Sequence, residues 1–371
     1  MSHPILQFGT GRFLQAHVDL FVSEALERNQ ALGGITVVQS TGSPQSTLRA
    51  AALAHGYRVE VKGMQQGKPL DTVVQVQSVQ AVWHANHDWA LLRDAMADSV
   101  QAIVSNTADA GYVLNVADTA ELLHTPSITP RSYPAKLLVL LHHRWQRKPN
   151  APLTLYPCEL VSRNGDTLRA IVAALAQDWG AEPAFLDYLQ AHCVWVNSLV
   201  DRIVSSPLEP AGAVAEPYAL WAIERQDRMV LPCTHPAIVV TDNLAAFEQR
   251  KLWLLNLGHT FLAERWQQLG SPTDMTVVQA MQTPALRTPL EAVWNYEVLP
   301  VFDAEGSGAE ARRYLEELRD RLLNPFLEHR LADIAKNHDE KKQRRMAPVV
   351  QRAAELKLPL AQTQLRSALG I

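Results

Sequence analysis

The chain has 371 residues, of which 47% are hydrophobic and 19% charged, with a formal net charge of -4. That length suits two domains with cores of their own, and 34 basic against 38 acidic residues exclude a strong nucleic-acid or membrane-directed field. The three cysteines, Cys158, Cys193 and Cys233, form no C-x-x-C pair, which excludes a disulfide framework or zinc knuckle as the organising device. No run of about 18 apolar residues occurs, and no basic segment leads into an apolar signal core. The expectation is a soluble, cytoplasmic protein with no membrane or nucleic-acid partner.

In chain order, residues 4–8 read as a short buried strand and GTGR as a turn. FLQAHVDLFVSEALE reads as one helix with Phe13, Ala16, Leu20, Phe21 and Ala25 on a shared face. GGITVVQS is a second strand, bounded by glycines and rich in β-branched residues. Residues 58–62 and 72–82 offer further strands. HDWALLRDAMAD is a helix, VQAIVSNT a strand ending in polar residues, PLTLYPCEL a strand, and DTLRAIVAALAQDWG an amphipathic helix. Strands alternating with helices predict an α/β, Rossmann-like doubly wound parallel sheet. The stretch 205–217 reads as a loop. From Asp242 onward helices dominate, at 244–268, 274–282, 286–298, 309–321, 324–336 and 347–366. The expected division is a dinucleotide-binding domain over 1–240 and a helical substrate domain over 241–371.

A strand, then G-x-G, then a helix is what a dinucleotide pyrophosphate site needs. Glycines remove the Cβ atoms that block the phosphates, and a helix start supplies free N–H groups. The full G-x-G-x-x-G fingerprint is not met, because Leu14 stands at its third glycine. An ordinary turn with two glycines is the alternative. The acid expected at the end of the second strand is also missing, with no Asp or Glu between Glu27 and Glu60. That strand ends in Gln39, Ser40, Thr41 and Ser43, with Arg49 nearby. This is either a 2′-phosphate site or a plain polar turn, so NAD and NADP both stay open.

The segment RKLWLLNLGHTFLA carries Lys251, Asn256 and His259. On an α-helix these lie at about 0°, 140° and 80°, on one side. A partly desolvated lysine can exchange a proton with an alcohol or carbonyl. An asparagine N–H beside it can steady an alkoxide, and a histidine can hold a substrate hydroxyl. The alternative is a solvated stripe, which the apolar surroundings weaken, since buried polar groups need partners.

Other constellations carry less. SYPAK lacks the Y-x-x-x-K spacing of a catalytic Tyr/Lys pair and reads as a helix start at Pro134. His142 and His143 are adjacent, so they point apart and make no metal pair. The run DEKKQRR, 339–345, is a solvated face or a basic cluster for an anionic substrate. Trp195, Trp221, Trp253 and Trp266 read as core or cleft wall.

Taken together, six pieces in order resemble the polyol-specific long-chain dehydrogenase/reductase family, which includes mannitol dehydrogenase, fructuronate reductase and tagaturonate reductase. They are GTGRFLQAH, with Gln15 in place of the usual arginine, VSNTADAGY, YPCELVSRNGDTLR, NSLVDRIVS, KLWLLNLGHT and NPFLEHRLADIAKNHDEKKQRRMAP. SYPAK, CEL and NGD look most like the tagaturonate reductase branch, and EPYALWAIE more like the mannitol and fructuronate branches. The resemblance implies a nicotinamide-dependent, metal-free interconversion of a ketose or keto-sugar acid with its alcohol, with NAD as cofactor and NADP open. It implies Lys251 as general acid/base, Asn256 as oxyanion donor, His259 as a substrate-orienting group, and Asp201 near the substrate or the lysine. Asn164 is implied as a second oxyanion donor, though some relatives carry that asparagine where this chain has Leu160. Gly9, Gly11, Arg12 and Phe13 are implied at the pyrophosphate, and Ser105, Asn106 and Thr107 at the nicotinamide. Lys341 and Arg345 are implied at a substrate carboxylate or hydroxyls. The family usually continues with further helices beyond the segment that here ends at Pro348, whereas this sequence stops at Ile371. The rival expectation is a non-catalytic nucleotide-binding regulatory protein. Oligomeric state is not legible.

Overall fold

The computed structural model describes residues 3–40, 44–107, 111–271 and 274–371. Its strands, in chain order, are β1 (Ile5–Phe8), β2 (Ile35–Gln39), β3 (Tyr57–Gln65), β4 (Lys68–Val76), β5 (Val79–His84), β6 (Ala102–Ser105), β7 (Leu153–Pro157), β8 (Cys193–Trp195), β9 (Ser198–Asp201), β10 (Val204–Pro207), β11 (Ala213–Ala215), β12 (Leu220–Glu224) and β13 (Ile238–Thr241). The chain divides into two compact units. One holds residues 1–60, 73–215 and 219–244; the other holds 61–72, 216–218 and 245–371.

The first unit is built on a six-stranded sheet in the order β5-β2-β1-β6-β7-β8, with every adjacent pair parallel. This is the doubly wound order, reversing between β1 and β6. Strands β1, β2, β6 and β7 are buried at every residue, as expected of parallel strands covered by helices on both faces. Leu6, Phe8, Ile103 and Leu155 share a core with Leu92 and Met96 of the helix Trp89–Asp98 and with Leu137, Leu140 and Leu141 of the helix Tyr133–Arg147. That second helix starts at the SYPAK segment, as its proline predicts, and Lys136 Nζ turns back to donate to Arg131 O at 2.6 Å.

Several local readings are corrected. The single helix expected after the glycine turn is two, Arg12–Gln15 and Val18–Glu27, because His17 takes φ -128° and ψ -92°. The stretch 205–217 takes in most of β10 and all of β11, which pair antiparallel. The helix expected over 324–336 is reduced to Leu331–Ile334, and that over 347–366 splits into Ala347–Glu355 and Thr363–Leu369.

In the second unit, the expected helix 244–268 has a different middle. It runs as α-helix over Leu244–Arg250, as π-helix over Lys251–Asn256, and as α-helix again over Leu257–Gln268. A second π turn, Val293–Val298, follows the helix Pro284–Ala292. The two meet at Trp294, whose indole N–H donates to Leu254 O at 3.2 Å. Inserting a side chain into the backbone ladder is a recognised way to open a helix. Gly258 makes room for it, since a Cβ there would lie 2.6 Å from Trp294 Cζ2. Trp253 and Trp266 are core residues here, and Trp195 and Trp221 are core residues of the first unit.

Candidate active site

In the first unit, the carboxyl ends of the adjacent strands β1, β6 and β7 carry Gly9–Gly11, Ser105–Thr107 and Cys158–Asn164. Gly9 sits at φ +122°, and a Cβ on it would lie 2.5 Å from Asn106 O. Asn106 N donates to Phe8 O at 3.0 Å, so the two loops lie side by side. Gly11 is different. It precedes the helix Arg12–Gln15 with no side-chain cap, and nothing lies within 4 Å of where its Cβ would be. A turn closed on one side and open on the other, with bare N–H groups beyond it, fits a pyrophosphate. The Gln15 amide fixes this turn, donating to Thr10 O at 2.9 Å and accepting from Gly212 N at 2.7 Å.

Arg12 points its guanidinium elsewhere, to Glu209 at 2.8 Å and to Gly212 O at 3.1 Å. Burial and the neighbouring charge of Arg49 lower its pKa. Phe13 stacks on His17 with centroids 4.8 Å apart. At the end of β2, Thr41 and Ser43 lie outside the described residues.

Ser105–Thr107 is organised by a residue the sequence reading passed over. The Glu159 side chain accepts from Ser105 Oγ at 3.1 Å, Thr107 N at 3.1 Å, Thr107 Oγ1 at 3.0 Å and Tyr112 Oη at 3.3 Å. Asn106 Nδ2 donates to the neighbouring Cys158 O at 2.9 Å. A carboxylate immediately after a buried strand, in PCEL, was the available signal.

Asn164 is not an open oxyanion donor. Its amide donates to Glu159 O at 3.2 Å and Ser198 O at 2.9 Å, and its Oδ1 accepts from Gly165 N and Ser198 N. Both N–H groups are engaged in holding the loop after β7 to β9. Leu160, where some relatives place the asparagine, is 79% exposed. Asp201 ends β9 and is buried, opposite Leu220 of β12.

The second unit gathers the other group. An i→i+5 turn stacks residues five apart more nearly than an α-turn does. The π turn therefore brings Lys251 and Asn256 closer to one line than the 140° separation expected of an α-helix. Both are half-buried, and among the described residues the Asn256 carboxamide has no hydrogen-bond partner. His259, one turn on, is buried and meets the His329 ring edge-on at 4.8 Å. His329 was missed, although it stands in the LEHR part of a segment already singled out; burial lowers its pKa.

The basic run forms the helix His338–Arg345, packed on the π turn and the helix after it. His338 and Lys342 bind Glu264 at 2.8 and 3.2 Å, pinning the helix down. Arg345 donates to Thr260 Oγ1 at 2.9 Å and to Asn256 O at 3.4 Å. Lys341 donates to Ile334 O at 2.8 Å, and burial together with Arg345 lowers its pKa. The structure thus groups Lys251, Asn256, His259, Lys341 and Arg345 in one unit, and Gly9–Phe13, Ser105–Thr107, Asn164 and Asp201 in the other.

Comparison with known proteins gives this arrangement a family. The family model for the mannitol dehydrogenase Rossmann domain matches residues 3–231, and that for the mannitol dehydrogenase C-terminal domain matches 243–371. The chain belongs to the mannitol dehydrogenase family. Among curated relatives, an altronate oxidoreductase of Yersinia pestis is 30% identical over 382 residues, covering 94% of this chain and 75% of its own. One from Bacillus subtilis is 28% identical over 375 residues, covering 95% and 75%. The fold matches D-sorbitol dehydrogenase in substrate-free form (TM-score 0.83, 22% identity, 100% of this chain and 81% of that one). It also matches Pseudomonas fluorescens mannitol 2-dehydrogenase solved with NAD and D-mannitol (TM-score 0.74, 18% identity, 100% and 78%). This member of the mannitol dehydrogenase family is a nicotinamide-dependent dehydrogenase acting on CH–OH groups. Among its described residues, no helix is long and apolar enough to cross a membrane.

Proposed function

We propose that this cytoplasmic enzyme interconverts a linear keto-sugar acid of the tagaturonate or fructuronate type with its altronate- or mannonate-type alcohol. NAD is the proposed cofactor, and the proton transfer is independent of metal. Residues 1–240 hold the nucleotide and 241–371 provide the acid/base and substrate groups. The observation that carries the reading is the π turn, which brings Lys251 and Asn256 closer to one line than an α-helix would, beside a helix bearing Lys341 and Arg345, with no partner for the Asn256 carboxamide among the described residues. The altronate oxidoreductase relatives support the choice of a sugar acid over a neutral polyol.

Gly9–Phe13 and Ser105–Thr107 would hold the nicotinamide cofactor, which would supply or accept the hydride when bound. In the reducing direction, Lys251 Nζ gives a proton to the carbonyl oxygen as negative charge grows there. The Asn256 amide donates a hydrogen bond to the same oxygen, which is worth most in the transition state. His259 orients a substrate hydroxyl, and Lys341 and Arg345 provide the positive field that a carboxylate requires. In this reading Asn256 is the oxyanion donor, and Asn164 fixes the loop.

The test is Lys251→Ala. General acid/base removal lowers kcat by about 10²–10⁴-fold, with melting temperature and cofactor affinity retained. Full turnover in that variant contradicts the assignment. Exhaustive chelation should leave kcat/KM unchanged; a loss restored by one divalent cation contradicts the metal-independent step.

A further inference from the structure

Glu159 is 5% exposed and accepts hydrogen bonds at both carboxylate oxygens from four neutral donors. The Thr107 N–H can only donate, and three hydroxyls complete a set of donors suited to a carboxylate. Burial and the negative charge of Glu159 push up the phenols of Tyr112 and Tyr133. Burying a charge on neutral dipoles alone is costly, so its retention calls for a use.

The sheet order locates it. The strand order reverses between β1 and β6. A dinucleotide across that crevice lays its adenosine half on the β2 side and its nicotinamide half on the β6 and β7 side. Glu159 follows β7 and grips the loop that follows β6. Oxidised nicotinamide is a cation, and the reduced ring is neutral.

We propose that Glu159 positions the Ser105–Thr107 segment and also supplies a buried negative charge at the nicotinamide half of the site, favouring oxidised over reduced cofactor. This rests on the cofactor-site reading above. Fixing the loop alone affects both cofactor forms alike, whereas the charge separates them.

The experiment measures dissociation constants for NAD+ and NADH separately, by calorimetry or tryptophan quenching, without substrate. In Glu159→Gln the ratio of the NAD+ constant to the NADH constant should rise about tenfold, the order expected for loss of one charge from a site of intermediate dielectric. Glu159→Asp keeps the charge and should hold the ratio within about twofold, while both constants rise. Thr107→Val, which removes one donor and no charge, should shift both constants together. Should Glu159→Gln fail to fold, Glu159→Leu with Thr107→Val removes the charge together with a donor and gives the same ratio. Equal changes in both constants on loss of the charge, or none, overturn the proposal. If the wild-type protein binds neither form, the cofactor-site reading itself fails, a result distinct from binding with an unchanged ratio.

Discussion

His17 and Asp19 stand two residues apart and have opposite effects on the pH dependence of stability. Burial lowers the His17 pKa to about 3, and its Nε2–H donates to Leu220 O at 3.0 Å. Burial raises the Asp19 pKa to about 7, and Tyr57 Oη donates to it at 2.7 Å. Between about pH 3 and 6.5 the unfolded chain binds a proton at His17 that the native state refuses, so this contribution is lost as pH falls. Between about pH 4 and 7 the native state keeps a proton on Asp19 that the unfolded chain releases, so this contribution is lost as pH rises. The two nearly cancel from about pH 4 to 6.5. Asp19→Asn should unmask the histidine, so that stability climbs with pH across that window by a few kcal/mol. Urea unfolding at several pH values checks this, and a flat profile in the variant contradicts it. The sequence offered His17 as one polar residue on an amphipathic helix. Nothing in the local pattern distinguished Asp19 from a surface acid, because its burial is completed by Tyr57, far along the chain; Glu159 had only its place after the buried strand in PCEL to mark it, and its partner Tyr112 lies 47 residues away.

Among elements, the glycine turn and the π turn make separable predictions. Gly11→Ala should leave the melting temperature nearly unchanged, since nothing lies within 4 Å of the new methyl. It should weaken NAD+ binding at least about tenfold, because the methyl takes phosphate space. Gly9→Ala faces a backbone oxygen at 2.5 Å and a φ of +122°, so it should lower stability as well as affinity. Gly258→Ala drives a methyl into Trp294 and should cost about 1–3 kcal/mol, along with a fall in kcat as the Lys251–Asn256 alignment relaxes. Thermal unfolding paired with cofactor titration separates these cases. The glycines were legible because strand, turn and helix occur within a dozen residues. The Lys251, Asn256 and His259 cluster was legible as a polar set in an apolar segment. The π turn was not, since it depends on an indole 40 positions away in the chain.

At the scale of the whole molecule, the alternation of strands and helices was enough to read the doubly wound sheet, and the loss of strand signals after Asp242 marked the helical part. Residues 61–72 and 216–218, which pack with that part, could not be read from local periodicity. They are tied in by long-range contacts: the fully buried Glu216–Arg321 pair at 2.9 Å, and Asn324 Nδ2 donating to Lys62 O at 3.1 Å. Breaking one side of that ion pair with Glu216→Ala should cost about 3–5 kcal/mol in chemical denaturation. A change below about 1 kcal/mol would show that the pair is dispensable. Substrate identity is the least legible property, because hydroxyl and carboxylate recognition rests on a few side chains whose spacing carries no periodic signal. The most direct test follows nicotinamide absorbance as the protein meets tagaturonate, fructuronate and fructose, with NADH and NADPH supplied separately. The account predicts oxidation of NADH with a uronate and little with fructose. Turnover with fructose alone, or none with any of the three in protein that binds the cofactor, would contradict it.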